Sequence, residues 1–93
     1  MDLGSHRLRE IRRQNGISQL DLAVKYQEIT SEDMTQATVS RIERGDMILT
    51  FKHAVGFVKS LVALGAANDN GGELTVNDLI VKTLANPVME PVV

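Results

Sequence analysis

The apolar positions of this chain come in a repeated local pattern. A hydrophobic residue precedes a Ser or Thr, and a second apolar residue follows four positions after it. Ile17-Ser18…Asp21-Leu22, Met34-Thr35…Thr38-Val39, Leu49-Thr50…His53-Ala54 and Leu74-Thr75…Asp78-Leu79 all show it. This is the hydrophobic staple of a helix N-terminus: the hydroxyl caps a free N–H while the flanking apolar pair fixes the entry angle. Asp21 and Asp78 stand where a capping box takes its reciprocal acceptor. The stops match the starts. Gly16, Gly45 and Gly65 follow the apolar runs, as suits the left-handed residue past a helix end, and Pro87 halts the last run.

These signals predict five helices, over about 5–15, 18–27, 35–44, 50–64 and 75–85, and an all-α class. Within them Leu8 and Ile11 share a face, as do Leu20, Ala23 and Val24, and Val39 and Ile42; Phe51, Val55, Val58 and Val62 form a stripe. Phe51 and Val58 are expected in the core. Tyr26 suits either the core edge or a protein contact, and His53 the helix surface. Residues 28–34, EITSEDM, read as a polar link, and 66–72, AANDNGG, as a flexible connector. The tail, NPVMEPVV, carries two prolines and is not helical throughout.

At 93 residues the chain is one domain by default. Residues 1–65 are expected to form the functional unit. Residues 66–93 add the connector, fifth helix and tail to the same domain and are the expected dimerisation region, with Leu61, Leu64, Leu79 and Ile80 at the contact. So small a core gains from a dimer.

Composition removes several classes. With no cysteine and two distant histidines, His6 and His53, no metal site is expected. No cofactor is expected either. No apolar run approaches a membrane span, and the polar, charged N-terminus is unlike a signal peptide. A cytoplasmic, nucleoid-associated protein without membrane contact is the expectation. No nucleophile with a base, catalytic carboxylate pair or metal-ligand set is visible, so no enzyme is expected.

The net charge of −2 conceals an asymmetry. Residues 1–59 hold nine Lys/Arg against eight Asp/Glu; residues 60–93 hold Lys82 against Asp69, Glu73, Asp78 and Glu90. Arg7, Arg9, Arg12 and Arg13 crowd one segment. A local basic face can hold phosphate on an acidic chain. The short helix TQATVSRIERG has the residues a major groove demands. Gln36 can bond adenine N6 and N7, Ala37 and the Thr35 and Thr38 methyls can pack on thymine, and Arg41 follows one turn later. Ser18-Gln19 opens the preceding helix with free N–H groups for phosphate.

LREIRRQNGISQLDLA followed by TQATVSRIERG resembles the lambda-repressor-like helix-turn-helix family, of the Xre or Cro-repressor type, over roughly Leu8 to Leu64. The resemblance implies a compact five-helix bundle. It implies a regulator that binds double-stranded DNA, mostly palindromic operators as dimers, and a repressor or switch protein of a mobile element or phage-like module is the expectation. The same fold also serves antitoxins and antiactivators, so a module that binds a protein partner is the alternative. By position, the resemblance implies phosphate contacts from Gln19 and Arg44, base reading by Gln36 and Ala37, a groove contact from Arg41 and a salt bridge from Arg12 to Glu43. One departure stands out. From Ala23 to Ser40 the chain exceeds the family's spacing by roughly six residues, between one and two helical turns, so that either helix 2 is longer or, as expected here, the turn between helices 2 and 3 is expanded. The excess is acidic, with Glu28, Glu32 and Asp33, and is expected to point away from phosphate.

Overall fold

A computed structural model describes residues 6–80. It contains helices α1 (Leu8–Gln14), α2 (Gln19–Thr30), α3 (Gln36–Arg44), α4 (Phe51–Ala63) and α5 (Val76–Leu79). Among the described residues the one extended pairing is an antiparallel bridge between His6 and Ile80, beside which the Arg7 N–H donates to the Leu79 carbonyl at 2.7 Å.

The helix starts follow from their caps. Ser18 Oγ accepts from the Asp21 N–H at 3.0 Å, Thr35 Oγ1 from Thr38 at 3.0 Å and Thr50 Oγ1 from His53 at 3.1 Å. At α5 the carboxylate answers instead: Asp78 Oδ2 accepts from the Thr75 N–H at 2.8 Å. The apolar partners of all four caps are buried, and they supply eight of the sixteen buried apolar residues among those described. The same local signal that starts each helix therefore also builds half the core. α3 stops because Gly45, at φ 84, takes a backbone conformation that a side chain disfavours.

Two stripes lie differently from their sequence expectation. On α4 the core takes Ala54, Phe57 and Leu61, while Phe51 is 68% exposed and Val62 42%. On α2 Ala23 is buried with Leu22 and Tyr26, whereas Leu20 and Val24 face outward. Both helices carry apolar residues on two faces, and the choice between faces is made by α2 packing on α4. Tyr26 decides it. Its ring is fully buried, 5.0 Å centroid to centroid from Phe57, and it lies directly against Gly56, where a Cβ would overlap it. His53 is half-buried, not a plain surface residue, with its ring edge-on to Tyr26 at 6.2 Å.

α2 is also longer than expected. The excess residues continue it to Thr30, where the hydroxyl donates back to the Tyr26 carbonyl at 2.8 Å. Ser31 then turns the chain with φ 62. The link to α3 is thus residues 31–35, with Met34 buried and its carbonyl held by Gln27 Nε2 at 2.9 Å. The 66–72 connector is a bonded turn. Asn68 Oδ1 accepts from the N–H groups of Asn70 and Gly72 at 2.9 Å, and Asn15 Oδ1 from Ala67 at 3.2 Å.

The last helix is shorter than expected. It ends at Leu79, and Ile80 is extended at φ −93, ψ 135, because that residue pairs with His6 instead of continuing the turn. Residues 81–93, including the rest of the expected helix and the valine-rich tail, lie outside the described residues. Leu61 and Leu79 are fully buried and so serve the core, not a dimer contact; Leu64 and Ile80 are half-buried.

Gly56→Ala gives a direct test of the α2–α4 contact. Alanine improves helix propensity by about 0.5–1 kcal/mol, but overpacking against Tyr26 costs about 1–3 kcal/mol. Net destabilisation is expected in urea melts, and it should shrink when Tyr26 is simultaneously made leucine. A stabilised Gly56→Ala protein would mean that the two helices do not pack this closely.

Candidate nucleic-acid interface

The site is built around a carboxylate on the inner edge of α3. The Glu43 side chain has no exposed surface. Arg12 of α1 donates to it twice, from Nε at 2.6 Å and from Nη2 at 3.0 Å. Gln19, the first residue of α2, donates from Nε2 at 3.0 Å, and Arg9 approaches with Nε at 3.4 Å. Arg12 also donates from Nη1 to the Ile17 carbonyl at 2.9 Å. One buried carboxylate thereby joins α1, α2 and α3. Burial pushes the Glu43 carboxyl up, but the hydrogen bonds from Arg12 and Gln19, with the charge of Arg12, outweigh it and hold the group below the usual carboxylate range.

The expected Arg12–Glu43 bridge is present. Its extension to Gln19 and Arg9 was not foreseen. Family position suggested a phosphate role for Gln19, and nothing local in the sequence links residues 24 positions apart. Because carboxylate oxygens only accept, Gln19 must turn its amide nitrogen to Glu43. Its Oε1 then faces α3, where Gln36 Nε2 donates over a long 3.5 Å. Each amide keeps a second N–H free.

The remaining predicted residues divide by their bonds. Gln36, Ala37, Arg41 and Arg44 are exposed. The Thr35 hydroxyl is occupied: it accepts from the Thr38 N–H and donates to Thr38 Oγ1 at 3.0 Å. Thr38 is half-buried. Arg44 pairs with Asp46 at 3.1 Å, a partner visible two residues downstream in the sequence. Arg41 and Arg13 have no ion pair among the described residues, whereas Arg7 is held by Glu10 at 2.9 Å and Asp69 at 3.1 Å. A cleft of about 520 Å³ lined by His6, Arg9, Glu10, Arg13, Gln14 and Glu43 lies beside this network. In it His6 Nε2 sits 3.1 Å from the Ile42 carbonyl near the end of α3. Two of the three acidic residues of the excess length are engaged: Glu32 takes Lys52 at 2.6 Å and, within α2, Lys25 takes Glu28 at 2.8 Å.

Among the described residues no three His, Cys, Asp or Glu side chains gather as metal ligands, and no helix is long and apolar enough to cross a membrane. Comparison with protein families matches residues 8–61 to the helix-turn-helix family. No curated protein and no solved structure gives a significant match.

Removing one partner of a buried charge pair costs about 3–5 kcal/mol. Glu43→Ala should therefore lower the melting temperature sharply, while Glu32→Ala, at an exposed pair, should leave it near that of the parent; equal losses would remove the buried network. Acidification gives a second measure. A carboxyl held low stabilises the fold fully above its unfolded value of about 4.5, and that contribution fades as pH falls through the lower folded value. The stability gap between the parent and Glu43→Gln should narrow in urea melts below about pH 4.5, whereas a gap constant down to pH 3 would mean the carboxylate is not the stabilising species.

Proposed function

The chain belongs to the Xre/Cro-type helix-turn-helix family, a DNA-binding and non-enzymatic one, and from that we propose a sequence-specific transcriptional regulator that reads an operator with the first turn of α3. The observation that carries the reading is the polar relay from buried Glu43 through Gln19 to exposed Gln36. Gln36 has its amide oriented by a neighbour that is itself anchored to a buried charge. Its Oε1 and remaining N–H match the N6 and N7 edge of adenine. Such preorientation spares the entropy of ordering a long side chain on binding.

In this reading Gln19 contributes its second N–H, together with the N-terminus of α2, to a phosphate. Ala37 meets the neighbouring base. The cap bonds of Thr35 and Thr38 leave chiefly their methyl groups for the groove. Arg41, without an ion pair among the described residues, is the readiest cation for a base edge or phosphate. Arg44 reaches phosphate only by leaving Asp46, so part of its Coulomb gain is offset. We read the protein as a homodimer on a palindromic site, since a two-fold operator is matched by a two-fold protein, and as a repressor or switch protein of a mobile element or phage-like module. Residues 1–65 carry the DNA contacts and 66–93 complete the same domain.

Selection of bound DNA from a random pool, run on parent and variants, tests this reading. Gln36→Ala should lose about 1–3 kcal/mol for one preferred base, and the consensus should degenerate at that position alone. An unchanged consensus would remove α3 as the reading element.

Arg44 and Asp46 should act on all sequences alike. Arg44→Ala should reduce the salt dependence by about one unit of slope, and Asp46→Asn should raise affinity without altering the consensus. If Asp46→Asn leaves binding unchanged at low salt, Arg44 is not a phosphate contact.

A further inference from the structure

α4 leaves an apolar stripe outside the core. Phe51 is 68% exposed and Val62 42%, with Val55 half-buried between them. It borders a groove of about 240 Å³ between α2 and α4. The floor is Tyr26, and Val55, Lys52 and Lys59 form one wall. Ile29, Thr30 and Glu32 form the other. That second wall comes from the excess length of α2, so the residues that depart from the family's spacing line this groove and share none of the side chains assigned to DNA.

The groove is lined by two lysines, Lys52 and Lys59, against one carboxylate, Glu32. α4 carries Lys52 and Lys59 and no acidic residue. Glu32 occupies Lys52, and Lys59 has no ion pair among the described residues. A second copy of this chain, docked stripe to stripe about a two-fold axis, would bring four groove lysines together with only two groove carboxylates, an excess of positive charge. Apolar side chains for the stripe and carboxylates for the lysines belong to a different partner.

We propose that the α2–α4 groove and the adjoining stripe dock an acidic amphipathic helix of a partner protein. One of its apolar side chains enters between Ile29 and Val55, its neighbours cover Phe51 and Val62, and its carboxylates pair with Lys59 and compete with Glu32 for Lys52. This extends the DNA-binding reading, because it gives the regulator a second, protein-facing surface on elements that also hold the recognition helix.

The test uses the full chain and two labelled peptides. Both are designed helices with leucine at i, i+4 and i+7; one has glutamates on the flanks and the other lysines. The acidic peptide should bind at least about tenfold more tightly than the basic one. Phe51→Ser should weaken it by about tenfold or more. Lys59→Glu should weaken the acidic peptide and strengthen the basic one, a reversal that loss of folding cannot produce. DNA affinity of both variants should equal that of the parent, which separates this surface from the recognition helix whether or not the operator reading stands. Three results would overturn the proposal: no preference between the peptides or no binding of either; loss of self-association in sedimentation on Phe51→Ser, which would make the occupant a second copy; or a fall in DNA affinity on Lys59→Glu, which would assign the lysine rim to phosphate.

Discussion

One buried carboxylate ties together the three helices around the proposed DNA-reading surface. Glu43 lies on α3, yet its four donor contacts come from α1 and α2. An uncompensated charge in that position would be intolerable, so the angle between α2 and α3 is tied to keeping it compensated. The same bonds orient the amide of Gln19, whose Oε1 takes a long 3.5 Å contact from Gln36. If the proposed reading holds, stability and recognition are coupled at this point. In that reading, a change at Arg12 would reach Gln36 through Gln19, although Arg12 itself faces inward.

Around that polar centre the apolar core is assembled with little sequence. Each capped helix start contributes a residue before the cap and one four positions after it, and all of these are buried. The arrangement economises on length, since a chain with only two phenylalanines, one tyrosine and no tryptophan has few large side chains to bury. The largest, Tyr26, is accommodated because α4 has Gly56 opposite it. A side chain there would push α4 away and open the core.

The lengthened α2 separates two uses of the bundle. Its first turn, with Ser18 and Gln19, belongs to the interface with α3. Its last turn, with Ile29 and Thr30, belongs to the groove against α4. Of the acidic residues expected to repel phosphate, Glu32 in the link is drawn to Lys52 and Glu28, near the end of α2, to Lys25; Asp33 has no ion pair among the described residues. Extra length in α2 thus adds surface at the far end of the helix while the contact between its start and α3 is kept.

What the sequence determined by itself is what depends on neighbours along the chain. Caps at Ser18, Thr35, Thr50 and Thr75 and the glycines at 16, 45 and 65 act within one turn, so helix number and the starts of α2 to α5 were legible, and the spacing that resembles the family carried the Arg12–Glu43 bridge. α1, with no side-chain cap, begins at Leu8 instead of near residue 5, because His6 is extended and paired with Ile80. Tertiary structure decided what depends on contacts across the chain. Which apolar stripe of α4 enters the core could not be read, because Phe51-Val55-Val62 and Ala54-Phe57-Leu61 both have helical spacing and only the Tyr26 ring against Gly56 chooses between them. The end of α5 was hidden for the same reason. No breaker stands at Ile80; the residue leaves the helix because its backbone is paired with His6, 74 positions earlier, and a pairing at that separation leaves no mark on local sequence.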